Sequence, residues 1–178
     1  MSGSSERTLL KVVTVGDFDP GADAAIEYDF IGRVIAGRYT VRAQIGGGGM
    51  ADVFLAHQRG PAGFEKECVI KRILPNLAVD SEFIEMFLDE ARIAARLSHP
   101  NIVQLFDLGQ VGKDYFLAME YVDGVNLEHV LERLAQQAKA RGSESYLPWP
   151  LAVRIIAEAA AGLDHAHNAR DSAGRSLG

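Results

Sequence analysis

The chain has 178 residues, 48% hydrophobic and 24% charged, with a formal net charge of −6. Those values fit a soluble globular domain and exclude a nucleic-acid binder, because the clustered Lys and Arg that neutralise phosphates are missing. The lone Cys68 excludes an internal disulfide, no Cys/His cluster has zinc-ligand spacing, and the apolar run at 9–15 is broken by Lys11 and too short to cross a bilayer.

The length suits one ordinary domain, or a small lobe with part of a second. A reducing cytoplasm is the expected compartment, and no membrane anchor is visible in the chain. Residues 1–35 set Glu6, Asp17, Asp19, Asp23, Glu27 and Asp29 against Arg7, Lys11 and Arg33 without a sustained period, which predicts a flexible acidic tail. From Arg38, glycine-separated segments rich in β-branched and aromatic residues predict strands over 39–45, 51–57 and 67–74. A helix follows over 81–97, opened by Asp80 and Ser81 ahead of Glu82. It is closed at His99-Pro100-Asn101, since the residue before proline leaves the helical region.

Two further strands are predicted over 102–108 and 115–121, with a glycine-containing turn at 109–114. Past Gly124 the pattern becomes helical, over 127–140 and 149–167. The class is thus α+β, with a β-rich unit at 36–123 followed by a helical one at 124–178. The last helix carries Leu151, Val153, Ile155, Ile156 and Leu163 nearly all around its circumference. Such a helix belongs inside a larger structure, so an apolar patch is expected to stay exposed within these 178 residues.

The run Ile45-Gly46-Gly47-Gly48-Gly49-Met50-Ala51-Asp52-Val53 sits between two strand-like segments. Glycine lets backbone amides approach an anion without a Cβ in the way, so the run reads either as a plain hairpin turn or as a phosphate cradle. A dinucleotide fingerprint would need a helix after the glycines, and here a strand follows. The Gly-x-x-x-x-Gly-Lys-Ser/Thr loop is excluded because no lysine follows the glycines directly.

In Cys68-Val69-Ile70-Lys71-Arg72-Ile73, alternation places Lys71 on one face with Val69 and Ile73. On the following helix, Phe83, Phe87, Glu90, Ala94 and Leu97 share one stripe, which puts the Glu90 carboxylate in an apolar seam. A carboxylate there needs a cation, and Lys71 on the preceding strand is the nearest candidate. The alternatives are a Lys71 that snorkels to solvent and a Glu90 that pairs with Arg92 at the rim.

These features, in this order, resemble the eukaryotic-like serine/threonine protein kinases of bacteria over about residues 38 to 170. Gly46-x-Gly48 with Val53 looks like the family's glycine-rich loop, Val69-Ile70-Lys71 like its strand lysine, and Glu90 like its helix glutamate. Leu97-Ser98-His99-Pro100-Asn101-Ile102-Val103 looks like the connector to the next strand, and Leu117 to Gly124 like the strand that runs into the hinge, with Met119 as gatekeeper.

The resemblance implies a five-stranded antiparallel small lobe with one helix, then the first helices of a truncated large lobe. It implies an ATP site in which Ile45, Gly46, Gly47, Gly48, Gly49, Met50, Ala51, Asp52 and Val53 cover the triphosphate. Lys71 would bind the α- and β-phosphates and Glu90 would hold Lys71, while Glu120 and Val122 would offer backbone groups to adenine beneath Val53 and Val69. Ala51 stands where the family's motif has a third glycine.

The family's His-Arg-Asp, Asp-Phe-Gly and Ala-Pro-Glu are not found after Gly124; Ala169-Arg170-Asp171 lacks the histidine, and Ser176 stands where the asparagine would fall. Mg2+ is therefore expected only in a complete kinase. Two expectations compete: the ATP-binding part of an active kinase acting on protein hydroxyls, and a naturally short non-catalytic module that binds a nucleotide or a partner.

Overall fold

The structure is a computed structural model that describes residues 30–142, 144–170 and 174. Six strands are laid down antiparallel: β1 (Val34–Ile35), β2 (Tyr39–Gly47), β3 (Ala51–Arg59), β4 (Glu65–Ile73), β5 (Leu105–Val111) and β6 (Asp114–Glu120), in the order β1-β2-β3-β4-β6-β5. Helix α1 (Ser81–Ala94) interrupts them, and α2 (Leu127–Arg141) and α3 (Trp149–Asn168) follow. The class is α+β as expected, a strand-rich unit followed by helices.

Alternation gives the sheet two separate apolar faces. Val41, Phe54, Ala56, Cys68, Ile70, Phe116 and Ala118 cluster on the concave side with Phe30, Ile35 and Tyr39. On the other side Ile73 and Leu117 meet Phe87 and Ala91 of α1. Register breaks between Val41 and Ala43 and between Gln44 and Gly46 bend β2, as bulges do. The curl is fastened across its open ends, where Arg38 and the Tyr39 hydroxyl, at the start of β2, both donate to the Asp107 carboxylate on β5. Burial and that carboxylate push the Tyr39 hydroxyl up to about 12.

The predicted elements differ from the observed ones in three informative places. The tail expected over 1–35 lies outside the described residues as far as 29, while Phe30 and Ile35 are buried in the core with exposed residues 31–34 between them. Phe30 is 2% exposed, its ring lies 5.0 Å from that of Phe54, and Gly32 donates to Val41 O at 3.0 Å. Two-residue β1 is thus a sixth strand beyond the five expected, too short to show any period.

The strand expected over 102–108 begins at Leu105, because Ile102 folds back to donate to His99 O at 3.0 Å. Its hairpin to β6 is closed by Gly112-Lys113, with Gly112 at φ 64 in the first turn position. Helix α1 starts as expected, with the Asp80 carboxylate accepting from the N–H groups of Glu82 and Phe83. It ends at Ala94 rather than Leu97, since Arg96 and Leu97 tighten into three-residue turns onto Ile93 and Ala94.

Helix α3 docks through one small contact region. The Asn101 side chain donates to Glu158 O at 2.8 Å, the His99 and His165 rings lie 5.2 Å apart, and a Cβ on Gly162 would come within 3.2 Å of Asn101 O. Most of its apolar surface is open, with Trp149 at 77% and Ile156 at 68% exposure, as the all-round apolar pattern led one to expect.

Cys68 is fully buried, its thiol donates to Ala56 O, and burial pushes its pKa up to about 11. Since the thiolate is the reactive form, a disulfide reagent should leave Cys68 unmodified at neutral pH and react stoichiometrically once denaturant opens the sheet. Rapid labelling of the native chain would show that β3 and β4 separate readily.

Candidate functional site

Between the α1 side of the sheet and α3 lies a cavity of about 430 Å³. Strand register builds its roof: Val53 lies opposite Lys71, Val69 opposite Met119 and Lys71 opposite Leu117, all on one face. Ile45 joins them at the entrance, Glu120 and Val122 line the edge where β6 leaves the sheet, and Ala159, Gly162, Leu163 and Ala166 of α3 form the floor. The walls are mostly apolar, with Lys71 and Glu90 converging in one wall and Glu120 at the edge, the general character of a small-molecule site.

The two charged groups meet. Lys71 Nζ lies 3.0 Å from Glu90 Oε1, with side-chain exposures of 17% and 33%. The ammonium also sits 6.0 Å from the centre of the Phe87 ring, on the same helix stripe as Glu90. Neither alternative for these residues is realised, because Arg92 instead pairs with Asp89 at 2.6 Å out in solvent. Glu90 sits in a seam with Phe87 and Ala94, and Lys71 lies within reach because β4 and α1 are consecutive and pack together.

The glycine run forms a hairpin between two strands. Gly46 lies opposite Val53, Gly47 opposite Asp52, and Gly48 donates to Ala51 O at 3.1 Å to close the turn. A Cβ on Gly48 or Gly49 would meet nothing within 4 Å, so packing inside the chain does not demand glycine there. Open space beside a bare backbone is what an anion cradle requires.

Ile45, Val53, Val69, Lys71, Glu90, Met119, Glu120 and Val122 are brought together around the cavity, whereas Gly46, Gly47, Gly48, Gly49, Met50, Ala51 and Asp52 do not line it. Met50 accepts from Leu74 N at 3.2 Å, which ties the turn to the end of β4. Asp52 turns its carboxylate to the opposite face, onto Arg72. At the far edge, Glu120 gives its own N–H to Gln104 O at 2.9 Å. Sequence reasoning missed Leu117 and the α3 floor; the first shares a strand face with Met119, and the second follows a helical spacing of small residues at 159, 162 and 166.

A curled antiparallel sheet, a glycine hairpin at its edge and a strand lysine paired with a helix glutamate are the parts of a protein kinase. The model of the protein kinase domain matches residues 39–170, and the chain belongs to that family. Tyrosine-protein kinase MasK of Myxococcus xanthus is 43% identical over 141 residues, which is 79% of this chain and 21% of MasK. Serine/threonine-protein kinase PrkC of Bacillus subtilis is 44% identical over 101 residues, 57% of this chain and 15% of PrkC.

The crystal structure of the Mycobacterium tuberculosis PknI kinase domain superposes with a TM-score of 0.59 at 33% identity, covering 77% of this chain and 50% of that one. The chain thus spans a minor share of these curated relatives and half of the PknI kinase-domain chain. No helix among the described residues is long and apolar enough to cross a membrane.

Replacing Glu90 by Ala leaves the half-buried Lys71 ammonium without its partner. The expected loss in denaturant melts is about 1.5 to 3 kcal/mol, the range for hydrogen bonds to charged groups and below that of a fully buried pair. A loss under about 0.5 kcal/mol would show that solvent screens the pair.

Proposed function

We propose that this chain is the ATP-binding portion of a protein serine/threonine kinase, with a small lobe at 36–123 and the start of a large lobe at 124–178. The observation that carries the reading is the 3.0 Å Lys71–Glu90 pair, set in an apolar cavity beside a glycine hairpin. In this reading adenine slides between Val53 and Val69 above and Leu163 below, with Met119 at the back and backbone groups of Glu120 and Val122 on its edge. The hairpin from Ile45 to Val53 lies over the triphosphate. Lys71 donates to the α- and β-phosphate oxygens, and Glu90 fixes the direction of the ammonium so that its protons point at phosphate.

Transfer of the γ-phosphate to a protein hydroxyl needs two further things, a carboxylate that takes the hydroxyl proton and Mg2+ on the phosphates. Among the described residues no group of three His, Cys, Asp or Glu side chains could hold a metal ion, so no step is assigned to one here. In this reading Lys71 and Glu90 bind and orient the nucleotide, and neither proton removal nor metal binding is assigned to them. The names of PrkC and PknI, both serine/threonine-protein kinases, support Ser/Thr as the acceptor, whereas MasK is named a tyrosine kinase, so phosphoamino-acid analysis of a phosphorylated protein distinguishes the two.

The competing reading is a short non-catalytic nucleotide- or partner-binding module. Retention of both Lys71 and Glu90 weighs toward the kinase, because their joint use is in holding ATP for transfer.

ATP that binds only the native chain should raise its Tm progressively, with about 2.7 kcal/mol of stabilisation at a hundred times the dissociation constant. Lys71→Met should remove most of that shift. A folded chain whose Tm does not move at millimolar ATP would overturn the nucleotide reading. The chain alone should transfer no label from ATP, and transfer abolished by Lys71→Met would contradict the purely binding role given to Lys71 and Glu90.

A further inference from the structure

The face of the sheet turned away from Lys71 carries a second charged pair. Asp52 lies opposite Arg72 in the β3–β4 register, one residue beyond the Val53 and Lys71 pair that roofs the cavity. Arg72 Nη2 donates to Asp52 Oδ2 at 2.8 Å, and the two residues are 6% and 9% exposed. On the other oxygen, Gln44 Nε2 donates to Asp52 Oδ1 at 3.4 Å and also to Gly46 O at 3.4 Å. A single carboxylate thus ties β2, β3 and β4 together at the root of the glycine hairpin.

The remaining face of the arginine is sealed by aromatic rings. Its guanidinium carbon lies 4.3 Å from the centre of Phe30 and 5.4 Å from that of Phe54. Phe30 comes from the segment ahead of β1, so that segment covers the pair and keeps water from it. In a desolvated setting the charge-assisted bond is strong and its loss leaves a buried charge unpaired.

The turn itself has no such support. A side chain at Gly48 or Gly49 would meet open space, and the turn's described ties are Gly48 to Ala51 and Met50 to Leu74. The pose of the turn is therefore set from its two arms, at Gly46–Gly47 on one side and Asp52 on the other. We propose that Asp52 and Arg72, under the cover of Phe30, are positioning residues that hold the glycine hairpin at the height where its amides meet a triphosphate. They act from behind the sheet and touch neither adenine nor phosphate. The proposal rests on the nucleotide reading above.

A positioning role weighs on the triphosphate more than on the base: of the adenine contacts only Val53 lies on the hairpin, where the β3–β4 ladder holds it opposite Lys71, while Val69, Met119, Glu120 and Val122 lie on β4, β6 and the segment after β6. Dissociation constants for ATP and for adenosine should therefore be measured by calorimetry on the whole chain and on Asp52→Asn, Phe30→Leu and the double variant Asp52→Leu with Arg72→Met. The double variant removes both charges together, which avoids an unpaired buried ion and keeps the test readable if Asp52→Asn does not fold.

The expected result is ATP binding weakened about tenfold or more, with adenosine binding held within about threefold. A purely structural role would lower the Tm and leave the ratio of the two constants unchanged. Equal weakening of both ligands, or no change in either, in a folded variant would overturn the strap and leave the nucleotide site standing. A parent chain that binds neither ligand would overturn the nucleotide reading and the strap with it.

Discussion

Lys71 and Glu90 meet at 3.0 Å between a strand and a helix whose other shared contacts are apolar. A cation against it stabilises the carboxylate in that seam, and the carboxylate in turn draws inward a lysine that lies between Val69 and Ile73. Each residue therefore fixes the other, and together they fix the rotation of α1 about its axis relative to β4. With that rotation set, Phe87 and Ala91 fall against Ile73 and Leu117, and the cavity keeps one charged wall among apolar ones.

The sheet divides its labour by face. One side, with Phe54, Ile70 and Phe116 buried around Tyr39, carries most of the hydrophobic stabilisation and is fastened at Asp107. The other side forms the roof of the cavity, and period-two alternation lets adjacent residues serve the two tasks, Lys71 facing the cavity and Arg72 the core side. Helix α3 supplies a floor through a narrow contact in which Gly162 brings the helix backbone close to Asn101, while most of its apolar surface remains open.

Much of this was legible in the residues. The spacing of Phe83, Phe87, Glu90, Ala94 and Leu97 places Glu90 in the seam before any coordinates are known, and strand alternation places Lys71 on the matching face. Asp80 marks the start of α1, and the strand that follows the glycines separates this hairpin from a dinucleotide loop.

The misses have physical causes. The segment from Phe30 into β1 is held by a ring contact with Phe54, 24 residues on, and by backbone bonds between Gly32, Arg33 and Val41 of β2, none of which leaves a local period. The β5 start was misplaced because Ile102 and Val103 have strand-like side chains but lie in a turn fixed by His99 and Pro100. Asp52 was grouped with the loop that would cover phosphate, although alternation from Val53 already turns its side chain to the opposite face.

The most direct measurement uses an acyl phosphate of ATP, whose acyl group passes to the amine nearest the nucleotide's phosphates and can be found by peptide mass mapping. Acylation should concentrate on Lys71, fall away in the presence of excess ATP, and fall sharply in Glu90→Ala, where the ammonium is no longer aimed. Label spread over Lys66, Lys113 and Lys139, or label on Lys71 that excess ATP does not suppress, would contradict the placing of the nucleotide's phosphates at the Lys71–Glu90 pair.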